Sequence, residues 1–281
     1  MKIISIINQK GGVGKTTTVI NLSAGLSLKG KKILVIDLDP QGNATTGFGL
    51  SNTDSSDKTI YSVLNGTKKI SEVIYKTKFE GLDLITSNVD LSGLEVETAG
   101  DNRRAFILKE QIKAYLKDSG AIYDYVLIDC PPSLSLLTIM ALVASNSLIV
   151  PLQTEFFALE GVTQLMKTIE RIKNNLNPEL LIKGILLTMF DKRNKLSTEV
   201  EREAREFFKE KVYQTVVPRN VRLSEAPSHG IPVLMYDKNC PGSKSYFNFT
   251  EEFLNKEKSM VSAAWWTRLN QKEDWEEVYR H

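Results

Sequence analysis

The stretch that decides the fold is Lys10-Gly11-Gly12-Val13-Gly14-Lys15-Thr16-Thr17. An apolar run from Ile3 to Ile7 precedes it and predicts a buried strand, and the segment from Thr18 to Leu28 predicts a helix. A strand, a glycine-rich loop and a helix in this order are the setting that a phosphate-binding loop requires. The glycines allow backbone N–H groups to approach an anion closely, and the helix N-terminus adds partial positive charge there.

Three polar side chains of this loop carry the predicted chemistry. Lys15 is placed to reach the β- and γ-phosphates of a nucleotide, and the hydroxyl of Thr16 is placed to bind Mg²⁺. Lys10 is a second lysine that the ordinary phosphate loop does not have; the alternative to a functional role is a lysine solvated at the surface of the loop. The loop therefore predicts a site for a nucleoside triphosphate and magnesium.

With its second lysine, the stretch 10–17 resembles the deviant phosphate loop of the ParA/MinD ATPases. Over residues 1–258 the wider likeness is to chromosome-partitioning ParA proteins of the Soj type. This resemblance implies an ATPase that uses ATP and Mg²⁺, with all of residues 10–17 at the nucleotide. It further implies that ATP joins two subunits face to face, with Lys10 of each reaching the nucleotide of the other.

Composition sets limits on the fold and on the partners. The chain has 281 residues, of which 42% are hydrophobic and 25% charged, and this suits one large α/β domain or two small ones. No apolar run is long enough to predict a membrane span, and the N-terminus predicts a strand instead of a signal peptide. Cys130 and Cys240 lack metal or redox spacing and indicate reduced cytosolic thiols. With a net charge of only +2, nucleic-acid binding would depend on a local basic patch.

Apolar runs of strand length alternate with amphipathic helical patterns along the chain. Further strands are predicted at 33–36, 82–85, 125–128, 148–150, 181–187 and 212–217, and helical stripes at 162–172 and 200–208. Several strand runs are continuously apolar, which is typical of a parallel sheet covered on both faces. The order predicts a doubly wound, mostly parallel α/β sheet with helices on both faces and a ligand at the carboxyl ends of its strands.

Three aspartates follow predicted strands and so belong at this edge. After the strand at 33–36, one carboxylate of the pair Asp37 and Asp39 can hold Mg²⁺ through water, and the other can orient an attacking water. The resemblance assigns the water to Asp39 and places Asp37 nearer the metal. Asp129 ends the strand at 125–128 in the Walker B position, which delivers a carboxylate to the Mg²⁺ shell. The expected catalytic residues are Lys10, Lys15 and Asp39, and the expected metal ligands are Thr16, Asp37 and Asp129.

Two later regions acquire a role only through the resemblance. Pro218 and Asn220 follow a predicted strand and by themselves indicate a turn, whereas the resemblance implies that they contact adenine. The span 183–222 holds ten basic and six acidic residues, which by itself is typical of a solvated face. The resemblance implies that Arg193 and Arg222 contact DNA phosphates without reading bases, which predicts salt-dependent, nonspecific binding to double-stranded DNA.

The last residues depart from the resemblance, so residues 1–258 are predicted to be a P-loop ATPase domain and residues 259–281 an extension of unknown role. This tail contains Trp265, Trp266 and Trp275 and is net negative, whereas a membrane-targeting helix would favour a basic polar face. A lineage-specific extension, a partner-binding segment and a cloning remnant remain open.

Together these patterns predict a cytoplasmic, nucleoid-associated partitioning ATPase. By the resemblance, its ATP-bound homodimer binds DNA and is released when a ParB-type centromere-binding protein stimulates hydrolysis, with no membrane involved. The alternatives are a MinD-like, membrane-associated division-site regulator, a protein like the nitrogenase iron protein, and a nucleotide-binding module without turnover. The iron-protein alternative requires cysteines that ligate a cluster between subunits, and the last conflicts with the presence of Asp39 and Asp129.

Overall fold

The computed structural model describes residues 1–50, 57–120 and 122–277, with side chains as far as Ser259. The strands in this part of the chain are β1 (Lys2–Ile6), β2 (Ile33–Asp37), β3 (Ile74–Lys76), β4 (Leu82–Ile85), β5 (Tyr125–Asp129), β6 (Ser147–Gln153), β7 (Leu181–Phe190) and β8 (Val212–Pro218). They form one sheet in the order β3-β4-β2-β5-β1-β6-β7-β8. All neighbours pair in parallel except β3 and β4, which are antiparallel.

Helices connect the strands and cover both faces of the sheet. The α-helices are α1 (Lys15–Leu28), α2 (Asn43–Gly47), α3 (Ile60–Leu64), α4 (Ile70–Val73), α5 (Leu94–Glu97), α6 (Ile107–Ser119), α7 (Leu136–Ala144), α8 (Ala158–Asn175), α9 (Lys195–Phe208), α10 (Val221–Glu225), α11 (Val233–Tyr236) and α12 (Pro241–Glu277). Short 3₁₀ segments lie at Val89–Gly93, Arg104–Phe106, Lys209–Lys211 and Ala226–His229. Within the described ranges, no helix has both the length and the apolar character needed to cross a bilayer.

The predicted doubly wound sheet is confirmed, and each predicted strand corresponds to an observed one. The strand that the sequence did not predict is β3, whose three residues, two half-buried and one exposed, are too few to produce a pattern. Along β2, Ile33 and Val35 belong to one hydrophobic core, whereas Leu34 and Ile36 belong to the other. Because successive side chains of a strand point to opposite faces, a continuously apolar strand has to be covered on both sides.

The first half of α12 fixes the helix of the phosphate loop against the sheet. Phe249 and Phe253 are fully buried in the core that also contains residues of α1. A Cβ atom at Gly25 would lie 2.2 Å from Oγ1 of Thr250, so only glycine permits the close approach of α1 and α12. Close packing of this kind holds α1, and with it the loop at its N-terminus, in one position.

Helix α12 continues past the predicted domain boundary. Residue 258 lies inside it, and the helix runs without interruption to Glu277. Trp265, Trp266 and Trp275 lie on this helix, but their side chains fall outside the described residues. The division into an ATPase domain and an extension at residue 258 therefore stays a prediction.

Candidate active site

The carboxyl ends of β1, β2 and β5 meet at one edge of the sheet. The strand register pairs Asp129 with Ile6 on one side and with Asp37 on the other. The phosphate loop after β1, the acidic turn after β2 and the end of β5 are therefore neighbours. This edge is where open parallel sheets bind their ligands.

A cleft of about 450 Å³ opens over the phosphate loop. Its lining residues are Gly11, Gly12, Gly14, Lys15, Thr16, Thr17, Ile20, Asp39, Gln41, Asn43, Thr46, Pro132, Met189, Pro227 and Ser228. Gly14 has a φ of 91° at the N-cap of α1, a backbone conformation that residues other than glycine rarely adopt. No side chain caps this N-terminus, so the first N–H groups of α1 are available to an anion.

Lys15 places a buried ammonium group at the wall of the cleft. Its residue is only 6% exposed, and Nζ donates a hydrogen bond to the backbone oxygen of Lys10 at 3.0 Å. Burial lowers the pKa of Lys15, and the charges of Asp129 and Asp39 oppose that effect. A phosphate entering the cleft would supply the negative charge that a desolvated ammonium favours.

Asp129 is fully buried, and neither carboxylate oxygen accepts a hydrogen bond within the described part of the chain. Burial, reinforced by the charge of Asp37, raises the pKa of Asp129 well above its usual range, and the nearby Thr16 hydroxyl and the charge of Lys15 oppose the rise. A buried carboxylate without partners is costly unless a cation compensates it. Together with the nearby hydroxyl of Thr16, it offers the oxygen ligands that Mg²⁺ prefers. The residues at this edge therefore fit the predicted magnesium.

Asp37 and Asp39 occupy different positions in the turn after β2. Asp37 is buried and accepts hydrogen bonds from the backbone N–H and the hydroxyl of Thr45, both at 2.8 Å, and from the N–H of Asp39 at 3.2 Å. Burial raises the pKa of Asp37 to about 6, and these hydrogen bonds oppose the rise. Asp39 lines the cleft, and its Oδ1 accepts the N–H of Gln41 at 3.0 Å. In this geometry Asp37 holds the turn, and Asp39 faces the space where the nucleotide would lie.

Lys10 does not line the cleft of its own subunit. Its backbone N–H donates to Oδ1 of Asn8 at 3.0 Å, and the amide of Asn8 donates to the oxygen of Pro151 at 2.7 Å. Its ammonium group forms an ion pair with Glu155, which follows β6. The Lys10 side chain is 55% exposed, so it is held at the surface beside the cleft. Its role in a partner subunit stays a prediction.

A second cavity of about 220 Å³ adjoins the first and shares Gly14, Thr17, Met189 and Pro227 with it. We call it the base cavity; its other lining residues are Thr188, Val217, Pro218, Arg219, Asn220, Leu223, Ser224 and Tyr246. The fold thus brings Pro218 and Asn220 to the phosphate loop. Oδ1 of Asn220 is buried and accepts no hydrogen bond among the described residues, so it is free to accept one from an amino group.

Both arginines predicted to contact DNA lie on the surface, but each already has a carboxylate partner. Nε and Nη2 of Arg193 donate to the two oxygens of Asp191 at 3.0 and 2.9 Å, and this pair lowers the pKa of Asp191 to about 2. Arg222 forms ion pairs with Glu225 at 2.7 Å and Asp237 at 3.6 Å. A DNA phosphate would have to compete with these carboxylates.

Several residues of the site were missed by the sequence analysis. Glu155 follows a strand at the carboxyl edge of the sheet, and that position alone could have indicated it. Pro227 and Ser228 reach the cleft from the 3₁₀ segment Ala226–His229, to which the sequence analysis gave no role. Thr188 ties β7 to the phosphate loop, since its hydroxyl donates to the oxygen of Val13 at 2.8 Å.

Known proteins match this chain over most of its length. Residues 1–182 match the family model described as an AAA domain. The chain is 49% identical over 264 residues to the chromosome partitioning protein ParA of Caulobacter vibrioides, which covers 94% of this chain and 98% of the relative. It is 46% identical over 256 residues to the chromosome-partitioning ATPase Soj of Treponema pallidum, covering 91% and 98% of the two chains.

Solved structures show the same fold. Cobyrinic acid a,c-diamide synthase from Mycobacterium smegmatis, with bound ADP and magnesium, superposes with a TM-score of 0.79 at 32% identity over 92% of this chain and 96% of that one. The septum site-determining protein MinD from Pyrococcus horikoshii, complexed with Mg-ADP, superposes with a TM-score of 0.73 at 28% identity, covering 89% and 95%.

Proposed function

Because the chain belongs to the ParA/Soj family of chromosome-partitioning ATPases, we propose that it moves DNA by a cycle of ATP-dependent dimerisation, DNA binding and hydrolysis. It is an ATPase that uses ATP and Mg²⁺ and acts in chromosome partitioning. The observation that supports this activity most directly is the buried Asp129 at the end of β5, near Lys15, whose two oxygens have no hydrogen-bond partner among the described residues.

Each residue of the cleft receives a proposed role in phosphoryl transfer to water. Lys15 and the N–H groups of residues 11–17 hold the phosphates, and Thr16, Asp37 and Asp129 hold the metal. Mg²⁺ supplies neutralisation of the charge on the phosphate oxygens. Asp39 orients the attacking water, because it is the cleft carboxylate that remains after Asp129 and Asp37 are assigned. Pro218 and Asn220 hold adenine in the base cavity.

The assembly and its partners are proposed on the family's properties. Two ATP-bound subunits pair face to face, and Lys10 of each leaves Glu155 to complete the site of the other. The dimer binds double-stranded DNA without sequence preference through surface arginines that include Arg193 and Arg222. A ParB-type protein stimulates hydrolysis and so releases the DNA. Because the dimer binds DNA, the proposed location is the cytoplasm, on the nucleoid.

A division-site function like that of MinD is the second candidate, supported by the likeness to the MinD structure. The higher identity to ParA and Soj, at nearly full coverage of both chains, favours partitioning.

The variant Asp39→Ala tests the proposed catalysis. It should retain ATP binding, lose hydrolysis and accumulate as an ATP-bound dimer, because the phosphate loop is intact and only the water loses its partner. Asp118→Ala, which removes an exposed carboxylate from α6, is the matched control and should behave as the wild type. Turnover and mass in solution are measured with ATP and with ADP. Wild-type hydrolysis by Asp39→Ala would refute the catalytic assignment, and an ATP-bound monomer would refute the face-to-face dimer.

A further inference from the structure

A third cavity, of about 710 Å³, adjoins the base cavity at Pro218 and Arg219. We call it the basic cleft; its lining residues are Phe190, Asp191, Lys192, Arg193, Glu201, Gln214, Val216, Pro218, Arg219, Pro241 and Ser245. Pro218 and Arg219 line both the basic cleft and the base cavity. One short segment therefore contributes to both the proposed adenine site and a charged surface.

In the basic cleft the carboxylates have cationic partners, whereas two of the cations do not. Asp191 is bound by Arg193, and Oε1 of Glu201 accepts two hydrogen bonds from Arg205 at 3.0 and 2.9 Å. The side chains of Lys192 and Arg219 are exposed and have no hydrogen bond or ion pair within the described part of the chain, although the charge of Arg219 helps Arg193 to lower the pKa of Asp191. The carboxylates of the cleft are thus already neutralised, and two cations remain for an external anion.

We propose that Arg219 binds the DNA backbone and that a base held by Asn220 positions it, so that nucleotide and DNA binding are coupled through this segment. The inference rests on the proposed DNA binding and adds a residue to it. An unpaired guanidinium can bind a phosphate through two of its N–H groups without first breaking an ion pair. Arg193 and Arg222 must give up a carboxylate to do the same.

The route of the coupling is short. The backbone N–H of Arg219 donates to the oxygen of Phe190 at 3.0 Å, so the segment is attached to the end of β7 on one side. On the other side, Oδ1 of Asn220 lacks a donor. A base that supplies this donor fixes the segment at both ends and with it the direction of Arg219. Any resulting gain in DNA affinity must be matched by an equal gain in nucleotide affinity when DNA is bound.

The experiment measures the affinity of the full chain for duplex DNA, with and without a non-hydrolysable ATP analogue, over a salt series. The ratio of the two affinities is the coupling factor, and it is compared between Arg219→Ala and the matched control Lys192→Ala, which removes the other unpaired cation. Both variants should weaken DNA binding with the analogue, Arg219→Ala by about tenfold, as expected for a charge-assisted hydrogen bond. Only Arg219→Ala should also lower the coupling factor, because Lys192 lies outside the base cavity.

Arg219→Lys should restore the salt dependence but only part of the affinity. Lysine restores the positive charge but lacks the planar guanidinium that binds a phosphate through two N–H groups. DNA binding by Arg219→Ala equal to that of the wild type would overturn the inference. An equal fall of the coupling factor in Lys192→Ala would also overturn it, because the effect would then not depend on the base. Absence of any analogue-dependent DNA binding by the wild type would instead refute the proposed function on which it rests.

Discussion

The ion pair between Lys10 and Glu155 predicts how tightly two subunits associate. In the proposed dimer Lys10 crosses to the nucleotide of the partner, whereas in the single subunit its ammonium group is bound to Glu155. The ion pair with Glu155 and the proposed contact in the dimer compete for the same ammonium group of Lys10. Glu155→Gln removes the competing carboxylate and keeps the side-chain size, so it should strengthen the ATP-dependent dimer.

The size of the effect follows from the exposure of the pair. The side chains are 55% and 31% exposed, so the pair counts as a surface ion pair, worth about 0.2–1 kcal/mol. A symmetric dimer releases it twice, which gives about 0.4–2 kcal/mol, or a Kd for the dimer lower by about 2- to 30-fold. The difference should shrink at high salt, because exposed charges are screened.

The assay is a dilution series of the protein with a non-hydrolysable ATP analogue, followed by sedimentation at low and high salt. Glu160→Gln is the matched control, because Glu160 is an exposed carboxylate in the first turn of α8, and its removal changes the net charge equally. A dimer of Glu155→Gln that is no tighter than that of Glu160→Gln would refute the competition.

Four further predictions test other parts of the structure. Lys15→Ala should abolish ATP binding in a direct binding assay, because it removes the buried cation of the cleft; unchanged affinity would contradict the site. Glu257→Gln should lower the free energy of unfolding in urea by about 3–5 kcal/mol, because it leaves the buried charge of Lys183 uncompensated. Much of that loss should return in Lys183→Met combined with Glu257→Leu. Arg193→Ala and Arg222→Ala should each flatten the plot of log DNA affinity against log salt by about one unit, without changing sequence preference. An unchanged slope in both would remove these arginines from the interface. Removal of residues 259–281 should leave ATPase activity and DNA binding intact, and loss of either in a folded truncation would show that the tail contributes.

The sequence predicted the site best where a short stretch contains both the functional residues and the pattern that defines the strand or helix beside them. The phosphate loop and the ends of β2 and β5 were predicted because glycine, lysine and aspartate follow continuously apolar runs. A run that is apolar at every position can be covered only by placing it in the middle of a layered structure. The strand β3 was missed because its three residues, none of them fully buried, are too few to show a periodicity.

Roles that depend on distant segments required the tertiary structure. Asp37 and Asp129 look equivalent in sequence, since each ends a buried strand. Thr45 donates two hydrogen bonds to Asp37, whereas the oxygens of Asp129 accept none within the described ranges. The two carboxylates therefore differ because folding places the N–H and the hydroxyl of Thr45 beside Asp37.

The sequence by itself determined that a nucleotide binds at the carboxyl edge of a parallel sheet, because the loop and the apolar runs are contiguous and their geometry is set by local backbone preferences. Only the tertiary structure decided that Glu155 holds Lys10 at the surface and that Arg219 lies unpaired between two cavities. Ion pairing depends on distances between segments far apart in the chain, and the Coulomb energy of a charge is set by neighbours that folding alone brings within reach.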